Sequence, residues 1–189
     1  MNQRFILLIF AFILSSNFTT AGKIEKGFKS LEVYNYFDAK NKFENKFKKS
    51  TISPAAFGLA TIYFRQDNPF HNIDSAYNLI RVSEATFSNL KEKKALKYLE
   101  YGFSMASIAN LKDQISAYYF DQLTNKNTIN EWNRFISRNP EYGNIKTAKY
   151  IRDSLAFGKA KSVNTTRALT EFLETYPNSE LKENALEAF

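Results

Sequence analysis

Few side chains in this sequence are equipped for chemistry, and their spacing limits what each could do. His71 is the single histidine and there is no cysteine, so a zinc site built from those two ligand types has no second member. Asp67, His71 and Asp74 are close enough along the chain to share a cation, although a polar turn between two helices accounts for the same three residues. Glu84, Glu92, Glu100 and Asp113 could serve as acids or bases. All four fall on amphipathic helical patterns, and no nucleophile, phosphate loop or metal motif accompanies them. Asn164-Thr165-Thr166 fits a glycosylation acceptor, but helix capping explains it better. The expectation is a chain with no catalytic residue, no metal ligand and no cofactor.

What remains is recognition. Aromatic residues make up 16% of the chain, with 18 Phe, 11 Tyr and 1 Trp. Phenylalanines at regular helical spacing belong to a core, whereas a tyrosine hydroxyl suits a half-exposed surface. Tyr98, Tyr101, Tyr118, Tyr119 and Trp132 are therefore the candidate anchors for a partner. The net charge of +7 is spread out, and its densest run is Lys40, Lys42, Lys46, Lys48 and Lys49. That run could attract an anionic polymer, a membrane surface or an acidic partner. It reads better as a solvated helix face, because Phe43 and Phe47 sit four apart on the opposite side.

The elements that must position these residues are helices. Apolar spacing of three and four recurs throughout, strand-like alternation is absent, and Pro54, Pro69, Pro140 and Pro177 fall at expected boundaries. Residues 120–152 and 157–189 align without a gap at an offset of 37. Phe120 recurs as Phe157, Asn127-Thr128 as Asn164-Thr165, Phe135 as Phe172, Pro140 as Pro177 and Ala148 as Ala185. A gapless period of this length predicts an array of antiparallel helical hairpins, each burying its apolar face against its neighbours.

Earlier in the chain, Ile24, Phe28 and Leu31 line one predicted helix, and Ala39, Phe43 and Phe47 the next. Gly27 and Ala39 are small residues that would let those two helices approach where they cross. A second pair is predicted from Pro54, capped by Ser53, with Leu59, Ala60 and Tyr63 in its first helix and Ala76 and Ile80 in its second. Sixteen residues separate Ala60 from Ala76, which places an insertion in the turn 66–72. Leu96, Leu99 and Phe103 form a further stripe; Ile108, Leu111 and Ile115 begin another, with a break near Ser104. Thr128 and Glu131 have capping-box spacing, and Asn164 is the corresponding cap in the last copy.

Gly27, Tyr36, Ala39 and Phe43 resemble the small and aromatic positions of the tetratricopeptide repeat. Leu59, Ala60, Tyr63, Ala76 and Ile80 resemble them again. "EFLETYPNSELKENA" is similar to repeats of bacterial envelope proteins such as the outer-membrane β-barrel assembly lipoprotein and the coordinator of the Tol-Pal system. The resemblance implies an all-α, tetratricopeptide-like solenoid: two hairpins over 22–90, an irregular helical connector over 91–125, and two 37-residue repeats over 126–189. Phe189 aligns with Arg152, which is expected mid-helix, so the last repeat is expected to be truncated and its final helix frayed.

Arg4, the ten apolar residues Phe5 to Leu14 and the small residues before Ala21 read as an export signal over 1–21. Such a stretch rises only about 15 Å as a helix, half of a ~30 Å hydrocarbon core. Its removal leaves 25 basic and 19 acidic residues, no spanning segment and no cysteine for a lipid anchor, which suits a periplasm and disfavours nucleic acid. The functional expectation is a non-enzymatic periplasmic scaffold, free or associated with the outer membrane, holding a protein partner in envelope assembly, secretion or motility. The alternative is a peptidoglycan or polysaccharide binding module of a larger envelope protein, and a more remote one is the helical part of an enzyme.

Overall fold

A computed structural model describes residues 22–47 and 51–188, and every regular element among them is helical. Residues 1–21, where an export signal is expected, and Lys48, Lys49 and Phe189 lie outside the described residues. No helix among the described residues is long and apolar enough to cross a membrane.

The first pair, α1 (Lys23–Glu32) and α2 (Tyr36–Glu44), packs on a second, α3 (Ile52–Phe64) and α4 (Ile73–Thr86). Their shared centre is Phe43, which is fully buried. Gly27 makes room for this ring rather than for a neighbouring backbone, since a Cβ there would lie 2.7 Å from it. A Cβ on Gly58 of α3 would come closer still. Ser53 does not cap α3. The helix begins at Ile52, two residues earlier than predicted, and Ser53 is buried inside its first turn, where its hydroxyl donates to the Ser83 carbonyl at 2.7 Å. Ser83 returns the bond to the Ser53 carbonyl at 2.9 Å, so two buried hydroxyls satisfy each other's helices. The turn before α4 is held by Asn68, whose amide donates to the carbonyls of Ile62 and Arg65.

A 3₁₀ turn over Phe87–Asn89 leads to α5 (Glu92–Leu99). The predicted Leu96–Leu99–Phe103 stripe does not form one face. The helix stops at Leu99, and Gly102, with φ of 73°, redirects the chain so that Phe103 enters the core. Leu96 and Leu99 are left more than half exposed. Only Tyr98 of α5 is buried, and Lys97 adds an ion pair at 2.6 Å to Glu25, a carboxylate buried in α1.

The remaining helices are α6 (Met105–Lys126), α7 (Ile129–Arg138), α8 (Ile145–Val163), α9 (Thr166–Thr175) and α10 (Lys182–Leu186). A capping box of Ser104 and Ser107 starts α6 at the expected break. The 37-residue repeat emerges as a long helix followed by a short one, α6–α7 and then α8–α9. Asn127 and Asn164 close the long helices in the left-handed conformation, at φ of 47° and 50°. Asn164 therefore ends α8 instead of capping α9. The cap is Thr165, which accepts from the Ala168 amide at 3.2 Å just as Thr128 accepts from Glu131 at 3.3 Å. The carboxylate of Glu131 turns to Lys126, 3.6 Å away, rather than back to the cap.

Three apolar clusters follow one another along the chain. Ile108, Leu111 and Ile115 of α6 belong to the first, with α1 to α5. Leu123, with Tyr119 and Phe120 beside it, belongs to the second, around Trp132, Phe135 and Ala148. The next long helix does the same. Ala148, Ile151 and Leu155 face the second cluster, whereas Ala156, Phe157 and Ala160 join Leu169, Phe172 and Ala185 in the third. Each long helix thus serves two consecutive cores, and α6, expected in a connector, is the long helix of the first repeat.

Candidate functional site

Two clefts of about 470 Å³ each open beside the long helices, and they occupy equivalent places in the two repeats. The first lies between α4, α6 and the turn after α7; the second lies between α7, α8 and the turn after α9. At the offset of 37, Lys112, Ser116, Asn139, Pro140 and Tyr142 of the first correspond to Lys149, Asp153, Tyr176, Pro177 and Ser179 of the second. The same helix positions therefore wall both clefts. Their chemistry differs.

In the first cleft, the Tyr77 ring is buried and its hydroxyl donates to the Arg138 carbonyl, fixing the end of α7 against α4. Burial raises its phenol pKa, and the nearby Arg81 and Arg138 partly oppose the shift. Both guanidinium carbons lie 5.8 Å from the ring centroid, within cation–π range. Ser116 donates to the Asn139 side-chain oxygen at 2.8 Å, and the Asn139 amide donates to the Phe135 carbonyl at 2.9 Å. Lys112 pairs with Glu84 at 2.6 Å and Arg138 with Asp74 at 3.2 Å.

In the second cleft a charged group replaces that neutral pair. Asp153 is buried and held by Arg152, whose guanidinium contacts it at 2.6 Å and covers Tyr176 at 4.6 Å. Arg81 in the first cleft and Lys149 in the second are exposed and have no salt-bridge partner among the described residues. The two clefts present preordered polar floors and free cations at their edges, which equips them to hold side chains and backbone of another chain.

The expected anchors are not gathered at one place. Trp132 is fully buried among Phe120 and Phe135, with its indole N–H donating to Asn127 at 3.1 Å. Tyr98 is 4% exposed against Phe28 and Phe103, and burial followed by the charge of Glu25 pushes its pKa up to about 12. Both are corrected to core residues, because a partner could not reach their rings. Tyr118 is half-buried edge-on to Phe64 and His71, and Tyr119 packs on Phe135. Tyr101 is half-buried and stacks on Phe28 at the rim of a separate cleft.

Asp67, His71 and Asp74 engage different partners: Asp67 takes Tyr36 and Arg65, His71 meets the Phe64 carbonyl at 3.1 Å, and Asp74 takes Arg138. No group of three ligating side chains among the described residues could hold a metal ion. Neither Tyr77 nor Arg81 was marked by any motif. The signal that could have found the clefts was the recurrence of Lys112 as Lys149, since both helices present a lysine to the same wall. Comparison with protein-family models, curated proteins and solved structures returned no match.

Proposed function

We propose that this chain is a non-enzymatic, exported helical-repeat scaffold of the cell envelope, whose repeats form a tetratricopeptide-like solenoid holding a protein partner across the paired clefts. The observation that carries this reading is the equivalence of the clefts. Two recesses of similar size, displaced by one repeat, are suited to successive segments of a single extended polypeptide. Their different floors, Ser116 with Asn139 and then Asp153 with Arg152, would give each position its own side-chain preference. No reacting group is required for such a role, and the affinity would come from many modest contacts.

The test is site-specific photo-crosslinking in the source organism, with the reactive group placed at Asp113 and, in a second strain, at its repeat counterpart Tyr150. Both are exposed, and Asp113 lines the first cleft. Cross-links from both sites to one and the same polypeptide are expected. Cross-links to unrelated proteins, or to glycan alone, would overturn the reading.

A further inference from the structure

A third cleft, of about 410 Å³, lies at the other end of the chain, away from the repeats, and differs from the paired clefts in kind. Its floor is apolar. Phe28 and Leu31 of α1, Phe57 of α3 and Tyr101 after α5 line it, and the Tyr101 and Phe28 rings stack at 5.9 Å. Two carboxylates stand on its rim, Glu32 at the end of α1 and Glu100 just past α5. Both are exposed, and neither makes a salt bridge among the described residues. Among the described residues that line the cleft, the one cation is Arg65, which is already held by Asp67 at 3.0 Å. An acidic rim around an apolar floor, on a chain whose net charge is +7, is complementary to a cationic ligand with an apolar side chain.

The backbone beside the cleft supports the same assignment. Tyr34 has φ of 60°, a left-handed conformation that a bulky side chain rarely adopts. Its ring remains 60% exposed on the cleft wall, beneath the Arg65 guanidinium at 4.6 Å. Arg65 also lies 5.6 Å from Tyr36, whose hydroxyl donates to Asp67 at 2.7 Å. Tyr34 ends α1 in the left-handed position, where its amide donates to the Leu31 carbonyl at 3.1 Å and the Asn35 amide to the Ser30 carbonyl at 2.8 Å, and its ring, covered by Arg65 on one side and open to solvent on the other, forms an exposed wall of the cleft.

We infer that this cleft is a docking site for a short peptide segment in which an aromatic or large aliphatic residue is flanked by lysine or arginine. The apolar side chain occupies the recess beside the half-buried Leu31, Phe57 and Tyr101. The flanking cations meet Glu32 and Glu100, and Tyr34 with Tyr101 closes the sides. The site is independent of the paired clefts, so either assignment can fail alone.

The probe is a fluorescein-labelled synthetic dodecapeptide with one central phenylalanine between pairs of lysines, titrated with the full chain and followed by anisotropy. A sibling peptide carries glutamates in place of the lysines. Saturable binding of the lysine peptide, weakened about tenfold in the E32K/E100K variant and by a similar factor for the glutamate peptide, is expected for two exposed charge contacts. Because both substituted residues are exposed, the helical circular dichroism of the variant should match that of the parent. K146E, on an exposed face of α8 outside the three clefts, should leave binding unchanged. Absence of binding, equal binding of the two peptides, insensitivity to E32K/E100K, or loss on K146E would each overturn the assignment.

Discussion

At the scale of single residues, two features govern whether the units can close. The Phe43 ring is packed against two glycines, so added volume has nowhere to go. Gly58→Ala should destabilise by about 1 to 3 kcal/mol, measured by chemical denaturation, because the ring cannot yield without disturbing α1 or α3. An unchanged midpoint would show that the ring can move aside. Asn127 and Asn164 each turn a long helix into the next element at positive φ. Asn164→Ala should cost about 1 kcal/mol, whereas Asn164→Gly should be neutral or slightly stabilising, because only the alanine meets the left-handed penalty. Equal effects of the two substitutions would place the contribution of Asn164 in its side chain. The recurrence of the Asn-Thr pair was legible in the sequence, but its division of labour was not. Asparagine caps helix starts as readily as it ends them, and only the backbone angle distinguishes the two roles.

At the scale of elements, the sequence conveyed most where apolar spacing and punctuation agreed. α7 was bounded by Thr128 and Pro140, and α9 by Pro177 at one end with its cap expected one residue early at Asn164, and their stripes reach the core in Phe135 and Phe172. α5 was misread because a helical stripe was continued through Gly102, where the chain changes direction. The paired clefts stayed hidden because most of their equivalent positions share a place and not an identity, as with Ser116 and Asp153 or Asn139 and Tyr176. The slender attachment of α5 has a measurable result. Its amides should exchange with solvent sooner than those of α4 and α6, since a single buried ring and the Glu25–Lys97 pair hold it. Equal protection would mean that α5 opens only when the whole first core does.

At the scale of the molecule, two buried phenols link stability to alkaline pH. Tyr36 and Tyr98 are each pushed up to about 12 from the usual 10.0, in both cases chiefly by burial, with the Asp67 hydrogen bond next for Tyr36 and the Glu25 charge next for Tyr98. A raised pKa means that the folded chain favours the protonated phenol. The associated stability is complete below pH 10 and is lost as pH rises toward 12. In an ultraviolet titration, Tyr36 and Tyr98 should ionise late, as pH approaches 12, and with loss of helical signal, whereas a single transition with intact helix would refute this. The division of α6 and α8 between successive cores bears on how such a chain can change its length. Phe120 and Phe157 hold the same place in the two long helices, so excision of residues 121–157 would join the front of α6 to the last turns of α8 in helical register. Ile108, Leu111 and Ile115 would still face the first core, and Ala160 would face α9. One cleft would be lost and both ends kept. The length of the array is thus set in whole steps, and a gene could gain or lose a step by a single in-frame duplication or deletion without creating a new kind of joint.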